Sequence, residues 1–144
     1  MPQLLIEKRG EGVDALIERV EQAAYQYPYH YEYWIWPGPN SNTFTAWISR
    51  AVPELDLDLP PTAIGKDFLG KEWVATAPSG HGWQWSMFGL LGVTVSRIEG
   101  FELNILGLTF GIDPDPFAIK LPLIGRIDIP ILDLLSASST IQEK

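Results

Sequence analysis

The sequence contains no cysteine, no run of basic residues and no long apolar stretch. Without cysteine the chain has no disulfide, no thiolate nucleophile and no thiolate metal site. Phosphate binding needs clustered Lys and Arg, so a chain with a net charge of −8 is not expected to bind nucleic acid or an anionic membrane surface. The most apolar stretch covers only residues 87–95, whereas a membrane-spanning helix needs about 20 residues.

Motifs for metals, cofactors and export are also missing. The chain has two histidines and no HxxxH or HExxH spacing, so we predict no metal site. Gly65-Lys66 lacks the preceding glycine of a phosphate loop, and no dinucleotide fingerprint occurs, so we predict no cofactor. Charged residues follow only three consecutive apolar residues near the N-terminus, which excludes a signal-peptide core. The default expectation is a soluble cytoplasmic protein.

What the chain does have is enough apolar and aromatic material for a folded core. Its 144 residues are 46% apolar and 12% aromatic, which is typical of one globular domain. We predict a single domain over residues 1–135. Residues 136–144 are polar and lack a packing pattern, so they are predicted to form a flexible tail.

The first half of the chain predicts two helices with a strand between them. Apolar residues from Val13 to Tyr27 recur at helical spacing, and Pro28 ends this pattern. Residues 29–36 are dense in aromatics and alternate, which favours a strand. A second helix should begin near Asn42 and end before Pro53, because the residue before a proline avoids the helical region.

The second half predicts a mostly antiparallel sheet or a small barrel. Residues 93–98 and 101–110 flank Glu99-Gly100 and read as a β-hairpin, and residues 117–121 and 126–131 are further strands. Residues 55–59 alternate strictly, which fits either a short strand or an extended arm. The predicted fold class is therefore α+β.

A rigid corner at residues 36–44 is the strongest candidate for a functional site. Trp36-Pro37-Gly38-Pro39 leads into four short polar residues at the start of the second helix, namely Asn40, Ser41, Asn42 and Thr43. These residues suit helix capping, and they also suit a ligand site at a helix N-terminus. Ser41 could act as a nucleophile if His30 or His81 served as its base, and the spacing does not choose between the two.

Two further sets of residues could contribute to ligand binding near this corner. Lys66 and Asp67 are candidates for a polar contribution. Trp34 and Trp36 belong to an aromatic wall that, with Trp83 and Trp85, could line a groove for a small molecule, a glycan or a protein partner.

Three segments together resemble the bacterial domain of unknown function DUF3750. They are Trp36-Pro37-Gly38-Pro39-Asn40-Ser41-Asn42-Thr43-Phe44, Leu59-Pro60-Pro61-Thr62-Ala63-Ile64-Gly65-Lys66-Asp67 and Phe88-Gly89-Leu90-Leu91-Gly92. The resemblance runs from about residue 27 to 129 and implies no assigned activity. It also implies an upstream region with a histidine, so that this chain would be a short version.

The corner alone is similar to permuted papain-like cysteine hydrolases of the NlpC/P60 and PPPDE groups. In that pattern, Asn-Cys-Asn-x-Phe starts a helix, and Ser41 stands here in place of the cysteine. This similarity implies a hydrolase relic, and serine would depend on an imidazole base more than cysteine does.

Three functional interpretations follow from the sequence. We favour a non-catalytic binding or interaction module built on a papain-like relic. The alternative is a serine-dependent amide or ester hydrolase with Ser41 as nucleophile and His30 or His81 as base, so enzymatic activity stays undecided at this point. The third interpretation is a subunit that forms homo-oligomers through its glycine-rich sheet.

Overall fold

The computed structural model describes residues 4–129. Two helices come first, α1 (Val13–Tyr25) and α2 (Ser41–Ala51), followed by a short 3₁₀ turn at Pro53–Leu55. Seven strands follow: β1 (Val74–Thr76), β2 (Gly82–Met87), β3 (Leu91–Ser96), β4 (Gly100–Ile105), β5 (Leu108–Pro114), β6 (Phe117–Leu121) and β7 (Gly125–Asp128). The predicted α+β class is confirmed.

Both predicted helices are present, and local signals set their ends. α1 begins after Gly12, which adopts a positive φ, and it ends before Pro28. α2 begins after the N-cap residue Asn40 and ends before Pro53. Trp47 of α2 donates its indole N–H to the carbonyl of Ala23 at 2.9 Å, which fixes the two helices against each other.

The strand predicted over residues 29–36 is wrong. This segment forms turns and irregular structure, and within the described chain no strand pairs with it. The backbone N–H of Trp34 instead donates to the carbonyl of Pro39 at 2.8 Å, so the segment folds back on the corner. Its aromatic content, which favoured a strand, leaves Tyr31, Tyr33 and Trp34 exposed.

The sheet is an antiparallel meander in which each strand pairs with the next, in the order β1 to β7. Since no pairing joins β1 to β7 in this ordered sheet, the prediction of a sheet is confirmed and the barrel alternative is not. The predicted hairpin across Glu99-Gly100 is formed by β3 and β4. The run 101–110 is divided into β4 and β5 by a turn at Leu106-Gly107, where both residues have a positive φ.

Residues 55–59 form an arm rather than a strand, which settles the alternative left open by the sequence. Leu57 and Leu59 of this arm are buried with Ala46 and Ala63 in one apolar cluster. A second cluster joins the two helices through Ala23, Ile48 and Val52. The apolar core therefore lies in the layer formed by the helices and the arm.

The sheet contributes almost nothing apolar to this core. Among its seven strands, the buried apolar set includes only Ala118. The side chains that the strands bury are polar or charged: Gln84, Ser86, Thr94, Glu102, Asn104, Thr109, Asp113 and Lys120. An antiparallel sheet packed on one side usually buries its apolar face and exposes its polar face. In this sheet the buried face is polar and the exposed face is apolar.

The C-terminal predictions extend past the described residues. The strand predicted over 126–131 corresponds to β7, and its last two residues lie outside the described range. The tail predicted for residues 136–144 also lies outside it. The single domain over residues 1–135 therefore stays a prediction.

Candidate functional site

The corner at residues 36–40 is fixed by contacts to the sheet and to itself. The Trp36-Pro37 and Gly38-Pro39 peptide bonds are cis. The Trp36 indole N–H donates to the carbonyl of Leu106 at 2.9 Å, in the turn between β4 and β5. Gly107 in that turn has no room for a Cβ, which would lie 3.0 Å from the Trp36 ring. Trp36 thus joins the corner to the sheet.

Asn40 and Thr43 form a reciprocal capping box at the start of α2. The Asn40 side-chain oxygen accepts from the backbone N–H groups of Asn42 and Thr43 at 2.9 and 3.1 Å. The Asn40 backbone N–H donates to the Thr43 hydroxyl oxygen at 3.1 Å. Two of the N–H groups that a helix N-terminus offers to an anion are therefore already paired.

The amide groups of the corner also bind the loop that precedes Lys66. Asn40 Nδ2 donates to the carbonyls of Ile35 and Ile64 at 3.0 and 3.1 Å, and Asn42 Nδ2 donates to the same Ile64 carbonyl at 2.9 Å. The Thr43 hydroxyl donates to the carbonyl of Gly65 at 2.8 Å. The side-chain polar groups of Asn40 and Thr43 and the Asn42 Nδ2 group are therefore engaged within the protein.

Ser41 and His30 share a surface depression of about 500 Å³ at the start of α2. Ser41 is exposed, and among the described residues its side chain makes no hydrogen bond. His30 Nε2 lies 3.1 Å from the carbonyl oxygen of Tyr25, and the imidazole packs edge-on against Tyr27. The structure therefore brings the predicted nucleophile and one candidate base to the same depression, without a hydrogen bond between them.

His81 lies in a different part of the molecule. Its Nδ1 is 3.1 Å from the carbonyl oxygen of Ser79 and 3.8 Å from a carboxylate oxygen of Asp56. Glu99 holds this loop by accepting hydrogen bonds from the Ser79 backbone N–H at 2.6 Å and the Ser79 hydroxyl at 2.7 Å. His81 is not part of the depression that contains Ser41.

A larger pocket of about 690 Å³ lies next to this depression. It is formed by the segment after α1, the inner side of α2 and residues 68–72. Its aromatic lining consists of Tyr27, Tyr29, Trp47, Phe68 and Phe88. Neither Trp34 nor Trp36 lines this pocket, and neither Trp83 nor Trp85 does, so this pocket is distinct from the groove predicted from those four residues.

The two tyrosine hydroxyls of this aromatic pocket stay protonated at neutral pH. Burial raises the pKa of Tyr27 to about 12, and burial also raises the pKa of Tyr29. Of the charged residues at the pocket, Glu32, Lys71 and Glu72 are exposed at its rim. Apart from Arg50, which also lines the pocket, the walls are aromatic or otherwise uncharged, and charges of both signs surround the mouth.

Lys66 and Asp67 belong to a buried charge cluster between the arm and the sheet. Lys66 Nζ donates to the carbonyl of Leu59 at 2.9 Å and lies 2.8 Å from a Glu102 oxygen. Glu102 also accepts from Lys120 at 3.1 Å, and Lys120 forms bonds of 2.8 and 3.0 Å with Asp58. These contacts explain why Lys66 is buried: it holds the arm onto the sheet. Its contribution to a ligand site stays a prediction.

Asp67 and Arg50 complete the buried charge cluster from the side of α2. Burial raises the pKa of Asp67 to about 6, and burial lowers the pKa of Arg50 to about 10. Arg50 donates to the carbonyls of Lys66 and Thr76 and to the side chain of Gln84. One Asp67 oxygen is buried without a hydrogen-bond partner. Asp67 is therefore an acid in a poorly solvated position.

The amphipathic character of the sheet was not predicted from the sequence. Residues that pair across neighbouring strands share a face, so the register defines an outer face made of three rows. The first row is Thr76, Trp83, Val95, Phe101, Ile112, Ile119 and Ile127; the second is Val74, Trp85, Val93, Leu103 and Phe110; the third is Met87, Leu91, Ile105 and Leu108. The signal was available, because polar and apolar residues alternate along β2 to β5.

Two further features, a cluster of metal-ligating side chains and a membrane-spanning helix, are absent from the residues that the structure describes. Over residues 4–129, no group of three or more His, Asp or Glu side chains is arranged to hold a metal ion. In the same range, no helix has the length and apolar character needed to cross a membrane.

A family model described as a protein of unknown function, DUF3750, matches residues 1–68. No curated protein and no solved structure matches the chain. The sequence resemblance predicts a match over about residues 27–129, whereas the observed match begins earlier and covers both helices and the corner but none of the strands. The similarity to papain-like hydrolases is not shown. Over residues 1–68 the chain thus matches the DUF3750 family, as its corner motif predicted.

Proposed function

We propose that this protein is a non-catalytic binding module that takes an uncharged, ring-bearing small molecule into the aromatic pocket. The observation that carries the proposal is the pocket of about 690 Å³ with five aromatic side chains in its lining. Ligand sites are typically concave, largely apolar and of a few hundred Å³, with a small number of polar groups that orient the ligand.

The chemistry of the pocket favours a neutral ligand. Tyr27 and Tyr29 present uncharged rings and protonated hydroxyls, since burial raises the pKa of both. Aromatic rings pack edge-to-face or offset against other rings, which suits a planar ligand. Arg50 is a charged residue in the lining, and its Nε and Nη2 groups already donate to Thr76, Lys66 and Gln84.

The capping box supports a non-catalytic function. A serine hydrolase needs backbone donors for the oxyanion as well as a base. Asn40 occupies the N–H groups of Asn42 and Thr43, so the helix N-terminus has fewer donors to offer. The inferred papain-like relic would thus retain the capped helix without the catalytic arrangement.

Binding of 1-naphthol, a neutral two-ring fluorophore, tests the proposal. The wild-type chain should bind it saturably, and Ala75→Phe should weaken binding at least about tenfold, because Ala75 lines the pocket and a phenyl ring there would fill it. Ser41→Ala, in the neighbouring depression, is the matched control and should bind as the wild type does. Equal binding by Ala75→Phe and wild type, or no saturable binding, would overturn the proposal.

The alternative of a serine hydrolase is favoured by one observation, the shared depression of Ser41 and His30. Its test is covalent labelling by a fluorophosphonate. Labelling of the wild-type chain that disappears in both Ser41→Ala and His30→Ala would establish the hydrolase. No labelling of the wild-type chain would remove this alternative.

A further inference from the structure

The outer face of the sheet is apolar, exposed and free of charge. None of the residues in its three rows is charged. Trp83, Val95, Phe101, Phe110 and Ile112 are each between 41 and 50% exposed. The opposite face of the sheet carries the buried polar residues, and within residues 4–129 neither apolar core cluster includes a side chain of the outer face.

The size of this face exceeds what a protein normally leaves in water. A fully exposed aromatic side chain contributes about 150–250 Å², so the three rows together expose roughly 1,000 Å² of apolar surface. The largest apolar patch on a typical monomer is about 300–600 Å². A stable interface buries about 800 Å² on each partner. The outer face therefore has the area that one complete interface requires.

We propose that a second copy of this chain covers the outer face, with the two sheets packed face to face. Homodimer interfaces are more apolar than other interfaces and are depleted in charge at their centre, which matches the three rows. Two sheets that pack in this way lie about 10 Å apart with their strands rotated by about 30°. The same patch serves both copies, which is the symmetry of an isologous dimer.

The distribution of charge favours this arrangement between copies. Each chain has a net charge of −8, so two copies repel unless their charges stay apart. The helices and the arm lie on the inner side of the sheet, because Arg50 of α2 contacts Gln84, Asp58 of the arm contacts Lys120, and α1 packs on α2. Residues 13–59, which include both helices and the arm, contain seven acidic and two basic residues. Face-to-face packing thus places these two acidic segments on opposite sides of the dimer.

The edges of the sheet offer a poorer route to association. β1 has three residues and β7 has four, and β7 carries Arg126 and Asp128, which bind each other. Short and charged edge strands are a common means of preventing edge-to-edge pairing. The association of two copies is therefore expected on the face and not at an edge.

The mass of the chain in solution tests this proposal, through light scattering coupled to size exclusion. The wild-type chain should have twice its monomer mass of 16.1 kDa. Phe101 is the middle residue of the seven in the first row, so Phe101→Lys should halve the mass because it places a charge at the centre of the interface. Tyr31→Lys changes an exposed aromatic residue away from the sheet and should leave the dimer intact. Circular dichroism checks that each variant is folded.

A single introduced cysteine gives a second measurement that does not depend on the Lys variant. Because the chain has no cysteine, Val95→Cys provides a unique thiol on the outer face, and Tyr31→Cys provides one away from it. The thiol at position 95 should react at least about tenfold more slowly at high protein concentration than at high dilution, while the thiol at position 31 reacts equally at both.

Three outcomes would overturn the proposal. If the chain is a monomer and the thiol at position 95 reacts slowly at every concentration, the outer face is covered by another part of the same chain. If the chain is a monomer and this thiol reacts freely, the outer face is exposed to solvent. A monomer that binds vesicles of neutral phosphatidylcholine means that lipid covers it. Naphthol binding in the aromatic pocket is independent of all three, so the two proposals succeed or fail separately.

Discussion

Replacing Glu102 with glutamine should strongly destabilise the protein. Glu102 is fully buried and lies between Lys66 at 2.8 Å and Lys120 at 3.1 Å. Lys120 keeps Asp58 as a partner in Glu102→Gln, whereas Lys66 loses the carboxylate that it pairs with, keeps the hydrogen bond to the Leu59 carbonyl and stays a buried charge without an ion pair. Removing one partner of a buried ion pair costs about 3–5 kcal/mol.

The loss is a large part of the stability of a domain of this size. Natural domains unfold with about 5–15 kcal/mol, and near this chain length 1 kcal/mol shifts the melting temperature by about 2–4 °C. Glu102→Gln should therefore lower the melting temperature by roughly 10 °C in calorimetry. Glu54→Gln is the matched control, because Glu54 pairs with Arg19 at the surface, and its melting temperature should equal that of the wild type.

A double variant tests whether the uncompensated charge is the cause. Adding Lys66→Met to Glu102→Gln removes the unpaired ammonium group and should recover at least about 2 kcal/mol, measured by urea unfolding. If the double variant is as unstable as the single variant, or if Glu102→Gln costs less than about 1 kcal/mol, then the charge of Lys66 is compensated in another way and the reasoning is refuted.

Three further predictions concern the acid, the cap and a glycine. Burial raises the pKa of Asp67 from 3.8 to about 6, so protonated Asp67 stabilises the fold below about pH 4, and this contribution is lost as the pH rises through about 6. Across that window the stability of wild type relative to Asp67→Asn should fall by about 3 kcal/mol in urea titrations. A difference that does not change with pH would contradict this prediction. Asn40→Ala should lower the free energy of unfolding by about 2 kcal/mol because it removes the cap of α2. The adjacent Ser41→Ala should change it by no more than about 0.5 kcal/mol, and equal losses in the two variants would argue against the capping box. Gly65→Ala should lower the melting temperature, since Gly65 has a positive φ and its Cβ would lie 2.5 Å from Asn40 Nδ2; an unchanged melting temperature would mean that Asn40 moves freely.

The helices and the hairpin could be predicted because their signals are local. Asn40, Pro28 and Pro53 act on backbone groups within a few residues, and the ends of α1 and α2 agree with them. Residues 117–121 were predicted as a strand with the bounds that β6 has. These features depend on helix capping, on the steric effect of proline on the preceding residue, and on the alternation of polar and apolar residues. All three can be recognised in the sequence without knowing what the segment packs against.

The segment 29–36 and the aromatic pocket could not be predicted because they depend on distant partners. Aromatic content favours a strand only when a neighbouring strand exists, and β2 to β7 pair among themselves. The pocket joins Tyr27 to Phe68 and Phe88, which are far apart in sequence. The role of Lys66 was equally hidden, since its partner Glu102 lies 36 positions later.

The consecutive order of the strands has a consequence for how the sheet assembles. Each strand meets its partner across a short turn, so the chain closes only small loops as it adds one strand after another. Proteins whose contacts are mostly local reach their native state faster than those that must join distant segments. In this protein the meander can grow in the direction of synthesis. The slow step is then expected where Lys66 and Asp58 must find Glu102 and Lys120, because these buried ion pairs fasten the N-terminal half to the sheet together with the contacts of Trp36 and Arg50.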